Sequence, residues 1–457
     1  MDGELIRPGD AGYDAARRVW NAMVDRRPLV VVRCASVRDV QDAVRMAHEQ
    51  GLEIGVKCGG HSVVGQAVPQ DGLMIDLTPL RAAVVDPAGR RARVQGGALL
   101  GALDDAAQAY GLATTAGNVS HTGVGGLTLG GGMGWLARQY GLTCDNVESF
   151  ELVTADGDVV RASAAENPEL FWGLRGGGGN FGIVTEFEFR LHPVGTRALL
   201  VEQRFPWTAA AAAFRAWRDL LPSAPRAVTL TAVVDDDGVE LGYVHVGDPD
   251  DGLAYLPVFS AAVGTPAAGR VEPMSYLELQ RMQDTPQGHE SRRYWKGNYL
   301  RSLPDEAIDT MLRRGTEDGS GDAPDLLPYV SLQAYGGAIA DVPDDATAFS
   351  HRDTLVEAVA AARWVDPAED AARIAATRRC GTAIAEYASG VYVNALSDDG
   401  VEGVRRAYPP AKLARLTALK DRWDPGNVFH LNHNIAPTGR RAHVANPVDR
   451  RDPEPTR

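Results

Sequence analysis

The chain reads as an α+β protein, with a two-lobed ligand-binding region over 1–194 and an antiparallel sheet covered by helices over 195–385. A final stretch, Tyr392 to Pro437, returns to motif-like density. Three observations predict this. Short apolar runs alternate with helical periodicity in the first part. Three dense glycine clusters fall in that same part. After Pro193 glycine thins out, and Ala-rich helical and hairpin patterns take over.

Pro28 to Val32 is a β-branched run and predicts a strand. Ser36 then caps a helix whose apolar positions Val40, Val44 and Ala47 recur at three to four residues, ending at Gly51. A strand from Leu52 to Lys57 runs into Gly59, Gly60 and His61. An apolar run from Leu73 to Ile75 follows a turn rich in Gly, Pro and Asp. Glycine takes positive φ and lets backbone approach a ligand, so this loop presents His61 rather than burying it. An ordinary strand-turn-strand with a solvent-facing histidine is the alternative.

Leu73 to Asp76 and Ala92 to Gln95 predict further strands, and Leu99 to Tyr110 a helix with Gly111 just past its end. Seven glycines then fall within twelve positions, Gly123 to Gly134. Each costs roughly 0.5 to 1 kcal/mol against alanine in a regular element, so irregular backbone is expected here. The gain is a wall of exposed N–H groups suited to a pyrophosphate or a planar ring. A flexible linker fits poorly beside Leu127, Leu129, Met133 and Trp135. Strands follow at Phe150 to Thr154, Val159 to Ala162 and Ile183 to Leu191, with a third cluster at Gly176 to Gly179, then Asn180, Phe181 and Gly182. Three glycine loops on one lobe imply one extended ligand.

In the second region, Thr208 to Leu221 predicts a helix, and Val228 to Val234 pairs with Val239 to Val246 around Asp237-Gly238. Strand material at Tyr329 to Ala338 and helices at Pro304 to Arg314 and Arg352 to Ala361 are expected. The return, Tyr392 to Pro437, holds a helix at Lys412 to Arg422. Residues 438–457, rich in Arg, Asp and Pro, are expected to be disordered.

The net charge is −14 and no basic run stands outside the terminal stretch, so no nucleic-acid partner is expected. A small organic substrate fits better. No stretch of 18 or more apolar residues occurs, so no membrane span is expected, and the N-terminus lacks the apolar core of a signal peptide. A cytoplasmic location follows as an expectation. Cys34, Cys58, Cys144 and Cys380 lie far apart without CxxC spacing, which argues for reduced thiols and against a metal site. Cys58 reads as a buried thiol.

Four segments are more specific: GGHSVVG, GVGGLTLGGGMGWLARQYGLTCDNV, ENPELFWGLRGGGGNFGIVTEFEFRL, and YVN with DPGNVFHLNHNI. In order and spacing, from about Arg27 to Pro437, they resemble the berberine-bridge-enzyme-like oxidases of the vanillyl-alcohol-oxidase superfamily. The resemblance implies a PCMH-type FAD-binding domain built from 1–194 and 386–437, with the middle domain covering the flavin ring. It implies a covalent bond from His61 to the flavin 8α-methyl group, and a neutral imidazole is a competent nucleophile there. Gly59, Gly60, Ser62, Gly65, His121 and Thr122 are implied as FAD contacts near the tether. Gly125, Gly126, Gly130, Gly131, Gly132 and Gly134 are implied along the glycine run. Gly182, Ile183, Val184, Asn432 and Asn434 complete the implied set.

Two departures stand out. Where many relatives carry a second tethering cysteine, this chain has Val119 in VSHTGVGG, so a single covalent link is expected. Where many relatives end a YxNY segment with a catalytic tyrosine, this chain reads YVNA, with Ala395 in that place. Candidates for the missing base are Tyr392 and His433, whose unperturbed imidazole, near pKa 6.5, suits the role. Either residue has a plain alternative: Tyr392 packing, His433 bonding backbone. Gln333 matches a substrate-facing strand position in relatives.

The expected function is therefore FAD-dependent oxidation of a small organic alcohol, amine or phenolic metabolite, with molecular oxygen as acceptor and no metal. A carbohydrate oxidase would need an open aromatic groove, for which Trp295, Tyr294 and Tyr299 are candidates. A polyketide- or alkaloid-tailoring enzyme would need an enclosed apolar pocket. A flavoprotein dehydrogenase, or a flavin binder of low turnover, is the remaining alternative.

Overall fold

The computed structural model describes residues 2–285, 288–316 and 326–440; of the stretch expected to be disordered, 441–457 lies outside the described residues. The first lobe is a four-stranded sheet in the order Glu4–Ile6, Val30–Arg33, Leu73–Asp76, Ile54–Lys57, whose last three strands run parallel. The helix Val37–Gln50 covers it through Val40, Val44 and Ala47. Its start is a capping box between Ser36 and Asp39, and its end is Gly51 at φ 64°, as the sequence predicts.

The second lobe is an antiparallel sheet in the order Ala83–Asp86, Arg91–Gln95, Ile183–Arg190, Val147–Val153, Val159–Ser163. Its core is aromatic, with Phe150, Phe187 and Phe189 fully buried. Between its strands the chain makes the glycine run. Here the expectation of irregular backbone is corrected: Val124–Leu129 is a short helix. The propensity cost is met because Val124, Thr128 and Leu129 bury their side chains.

The third sheet has seven antiparallel strands in the order Ala268–Ser275, Arg197–Phe205, Gly238–Val246, Val228–Asp235, Tyr329–Ala334, Val356–Trp364, Arg292–Leu300. Helices Trp207–Leu220, Asp305–Arg313 and Asp370–Ala385 cover one face, burying residues such as Phe214, Trp217, Leu230, Val330 and Val356. The helix predicted at 352–361 is therefore wrong: that stretch is the strand Val356–Trp364. Its alanines favour a helix locally, but ladders to strands on both sides decide the matter. Alternation then sends Val356, Ala358 and Ala360 to the helices and Glu357 to the opposite face, opposite Gln333 on one neighbour and Tyr299 on the other. That opposite face is turned to the first two lobes.

The C-terminal return is fastened to the glycine loop at 176–182. Lys420, fully buried, pairs with buried Asp424 at 2.6 Å and donates to the Asn180 and Phe429 carbonyls. Removing one partner of such a pair typically costs about 3–5 kcal/mol, so this clamp fixes the return beside the cavity. Among the described residues, no helix is long and apolar enough to cross a membrane.

Candidate active site

A cavity of about 500 Å³ lies where the three sheets meet. Its walls are the loop after Lys57, the glycine run, the loop at 177–184, and the return at 392–396 and 429–433, with Trp20 and Trp295 at the sheet side. Among the described residues none of its lining is Asp, Glu, Lys or Arg. Such a site meets a phosphate with backbone N–H groups rather than with cations.

Thirteen residues singled out from sequence line this cavity: Gly59, Gly60, His61, Ser62, Thr122, Gly125, Gly126, Gly182, Ile183, Val184, Tyr392, Asn432 and His433. The cavity fits FAD on its own evidence. A Cβ on Gly126 or on Gly179 would meet nothing within 4 Å, so both glycines leave open room beside the cavity. The Asn432 Oδ1 is buried without a partner, as are the indole N–H groups of Trp20 and Trp295. Polar atoms left so in a cavity wall mark where a ligand bonds.

Other glycines expected to contact FAD do a different job. A Cβ on Gly130 would collide with the Asn394 side chain, on Gly131 with Phe349, on Gly132 with Thr143, and on Gly134 with the Ala116 carbonyl. None of the four lines the cavity. They let the chain pack closely behind it. Gly65, at φ +66°, turns the loop against Val24, and Asn434 is buried away from the lining. Gln333 also stands off the lining; its Oε1 accepts from Asn118 Nδ2 at 2.9 Å.

His61 stands in the cavity wall with Trp20 stacked on one ring face, centroids 4.7 Å apart. The Arg293 guanidinium lies over the Trp20 ring, 3.9 Å from its centroid. The His61 Nε2 lies 2.8 Å from Nδ1 of His121, and its Nδ1 lies 3.3 Å from the Thr122 hydroxyl. Burial, with the charges of His121 and Arg293 adding to it, pushes the His61 pKa down to about 3. The ring is neutral at physiological pH and keeps a lone pair. All four cysteines are free, and burial pushes the Cys58 thiol up to about 11, which leaves it inert.

The two residues expected to replace the missing base are placed poorly for it. Tyr392 lines the cavity, but its oxygen accepts from the Gly132 N–H at 2.8 Å and from Asn394 Nδ2 at 2.9 Å, and burial raises its pKa. A phenol so held is a structural acceptor, and its phenolate is not available near neutral pH. His433 lines the cavity next to Asn432, its Nδ1 3.4 Å from Gln66 Nε2, with burial lowering its pKa to about 4. Of the three aromatics considered for a sugar groove, only Trp295 reaches the cavity. Tyr299 is core, and Tyr294 faces away and donates to Asp398.

Glu357 was missed. It is 8% exposed, accepts from the Tyr335 hydroxyl at 3.1 Å, and among the described residues pairs with no cation. Burial pushes its pKa up to about 7. A Cβ built on Gly297 would stand 2.6 Å from the Ala395 Cβ and 3.7 Å from the Glu357 Oε1, so this carboxyl sits beside Ala395. The signal was a lone acidic residue in an apolar run, LVEAV. Read as part of a helix over 352–361, that signal has no meaning.

Two family models match the chain: "FAD binding domain" over residues 28–163 and "Berberine and berberine like" over 391–436. The (R)-6-hydroxynicotine oxidase of Paenarthrobacter nicotinovorans is 32% identical over 96% of this chain and 98% of its own length. The aclacinomycin-N/aclacinomycin-A oxidase of Streptomyces galilaeus is also 32% identical, over 93% of this chain and 88% of its own. Among solved structures, a glucooligosaccharide oxidase from Acremonium strictum bearing a 6-S-cysteinyl, 8α-N1-histidyl FAD shares the fold. It gives a TM-score of 0.84 at 24% identity, over 95% of this chain and 97% of that one. Glycine loops around a charge-free cavity, a PCMH-type fold and these matches agree, and the chain belongs to the berberine-like FAD-linked oxidoreductases.

Proposed function

We propose that this enzyme is an oxidase. In this reading it takes a hydride from a small organic alcohol, amine or phenolic metabolite onto FAD tethered at His61, with Glu357 receiving the substrate proton and dioxygen the electrons. Bound FAD supplies the hydride acceptor and the route to oxygen. The observation that carries the reading is Glu357: a buried carboxyl that among the described residues pairs with no cation, behind the cavity lining on the sheet face turned to the first two lobes, beside the place of the family's missing tyrosine. A group with its pKa near 7 exchanges protons readily at working pH. Trp20 and Trp295 wall the cavity on the sheet side.

Relatives named as oxidases of a hydroxynicotine and of aclacinomycins support both the substrate class and oxygen as acceptor. The burial of Tyr294 and Tyr299 weighs against an oligosaccharide groove. The test is a panel of alcohols, amines and phenols added without oxygen. Bleaching of the visible flavin band by a panel member, then peroxide on admitting air, is expected. Bleaching that air does not reverse would favour a dehydrogenase, and no bleaching at all a binder of low turnover.

A further inference from the structure

Glu357 does not stand alone behind the cavity lining. The titratable groups around it are three buried tyrosines, one from each element packed against it: Tyr335 just past the strand Tyr329–Ala334, Tyr299 on the strand Arg292–Leu300, and Tyr392 on the return. Gln333, directly opposite Glu357 in the ladder, bonds Asn118. The Arg352 guanidinium, whose charge reaches Tyr299, is paired with Asp145 at 2.7 Å.

The Tyr335 hydroxyl donates to Glu357 Oε2 at 3.1 Å, and the Tyr299 and Tyr335 hydroxyls lie 3.2 Å apart. A phenol has one proton to give. The Tyr335 proton lies on the bond to Glu357, so its oxygen accepts and Tyr299 donates. Two hydroxyls thus point their protons in series at one carboxylate, an order in which each bond strengthens the next. Burial raises both phenols well above their ordinary range, so each keeps the proton that it donates. The backbone of Tyr335 is fixed as well: its N–H donates to the Leu355 carbonyl at 2.9 Å, and the buried Arg138 guanidinium donates to its carbonyl oxygen.

The direction of the series decides which state of Glu357 it serves. With Glu357 ionised, every O–H in the chain has an acceptor. With Glu357 donating into the chain, Tyr335 would turn its proton to Tyr299. Among the described residues the Tyr299 hydroxyl has no other partner, so its own proton would then be buried and unpaired, which is unfavourable. Burial favours the neutral acid, and the Tyr335 bond pulls the other way.

We propose that Tyr335, backed by Tyr299, is the positioning residue that keeps Glu357 a carboxylate ready for the substrate proton. It holds Oε2 and leaves Oε1, on the side of Gly297 and Ala395, to take that proton. The inference rests on the reading of Glu357 as the base.

The experiment uses flavin-loaded wild type, Tyr335→Phe, Tyr299→Phe and the double variant, with Glu357→Gln to assign the signal. The protonated-carboxyl stretch of Glu357 is titrated by infrared difference spectroscopy without substrate. In parallel, kcat/KM is followed against pH with the panel compound that bleaches the flavin. In Tyr335→Phe both the carboxyl titration and the kcat/KM limb should move up by about 1–2 pH units, the usual scale for one hydrogen bond to a charged group. At pH 7 this lowers kcat/KM by about 5- to 50-fold, and raising the pH should recover it, which lost packing would not allow. Tyr299→Phe should give a smaller shift in the same direction. The double variant should match Tyr335→Phe alone, because Tyr299 acts only through Tyr335. An unmoved carboxyl titration in Tyr335→Phe overturns the inference, and so does a double variant whose shift is the sum of the two. Should Tyr335→Phe fail to load FAD, Tyr299→Phe decides in its place, an unmoved titration again overturning the inference. A titration that moves while the kcat/KM limb stays upholds the tyrosine pair and overturns Glu357 as the base, a distinct result.

Discussion

Ala395 rests directly on Gly297: a Cβ added to the glycine would stand 2.6 Å from that of the alanine. The turn Val393–Ala395 is thereby seated on the strand Arg292–Leu300. The loss of a tyrosine at 395 is built into this contact, because a ring there would drive into the strand beside Glu357. Ala395→Tyr is expected to lower stability by about 1–3 kcal/mol, the usual cost of overpacking, and to bring no gain in kcat. Thermal unfolding and steady-state rates check it. A stable variant with raised kcat would mean that the tyrosine's place is still open.

Glu357→Gln separates a working carboxyl from a structural one. With flavin content unchanged, its kcat/KM should fall by about 10²–10⁴-fold, the range for a lost general base. In the wild type kcat/KM should rise with pH through a limb near 7, and the variant should lack that limb.

The same variant has a stability signature of opposite sign. The folded chain holds the Glu357 proton more tightly than the unfolded chain, whose carboxyl titrates near 4.5. The stability this confers is fully present below pH 4.5 and is lost as pH rises through about 7. Gln stays neutral, so at pH 8 the variant should be the more stable protein, by about 1–3 kcal/mol, and near pH 4 the two should converge. Urea unfolding at both pH values measures this. A carboxyl kept for structure would instead destabilise when removed at pH 8.

Tyr392→Phe removes the acceptor of the Gly132 N–H and of Asn394. A buried donor left unpaired costs about 1–3 kcal/mol, so the melting temperature should fall. The kcat of the flavin-loaded variant should stay within a few-fold of wild type. A collapse in kcat with flavin in place would return the base to Tyr392.

How much of this was legible beforehand depended on range. The His61 loop, the Ser36 cap and the hairpin at 235–238 are written in adjacent residues, and each stands where local chemistry places it. Glu357 was hidden because its role depends on ladders to strands that begin at Arg292 and Tyr329, which an Ala-rich stretch does not announce. Glycines that make room for a ligand and glycines that let chains pack are the same letter in a sequence. Only the structure separates Gly126 from Gly134. The stacking of Trp20 on His61 is likewise a product of the fold.

That separation is itself testable. Gly126→Ala sits in the helix Val124–Leu129 with open space ahead of it, so it should leave the flavin-free protein as stable or more so, by up to about 1 kcal/mol, and weaken FAD retention. Gly134→Ala collides with the Ala116 carbonyl and should destabilise the fold with or without FAD. Melting curves of the two variants with and without added FAD distinguish them. Equal behaviour of the pair would contradict the two roles.

The most direct measurement is acid precipitation of wild type and His61→Ala, with intact mass and visible absorbance read on pellet and supernatant. Tethering at His61 predicts flavin in the wild-type pellet, a protein mass raised by one FAD, and release of all flavin from His61→Ala. Flavin washing out of the wild type, or staying with His61→Ala, would contradict it.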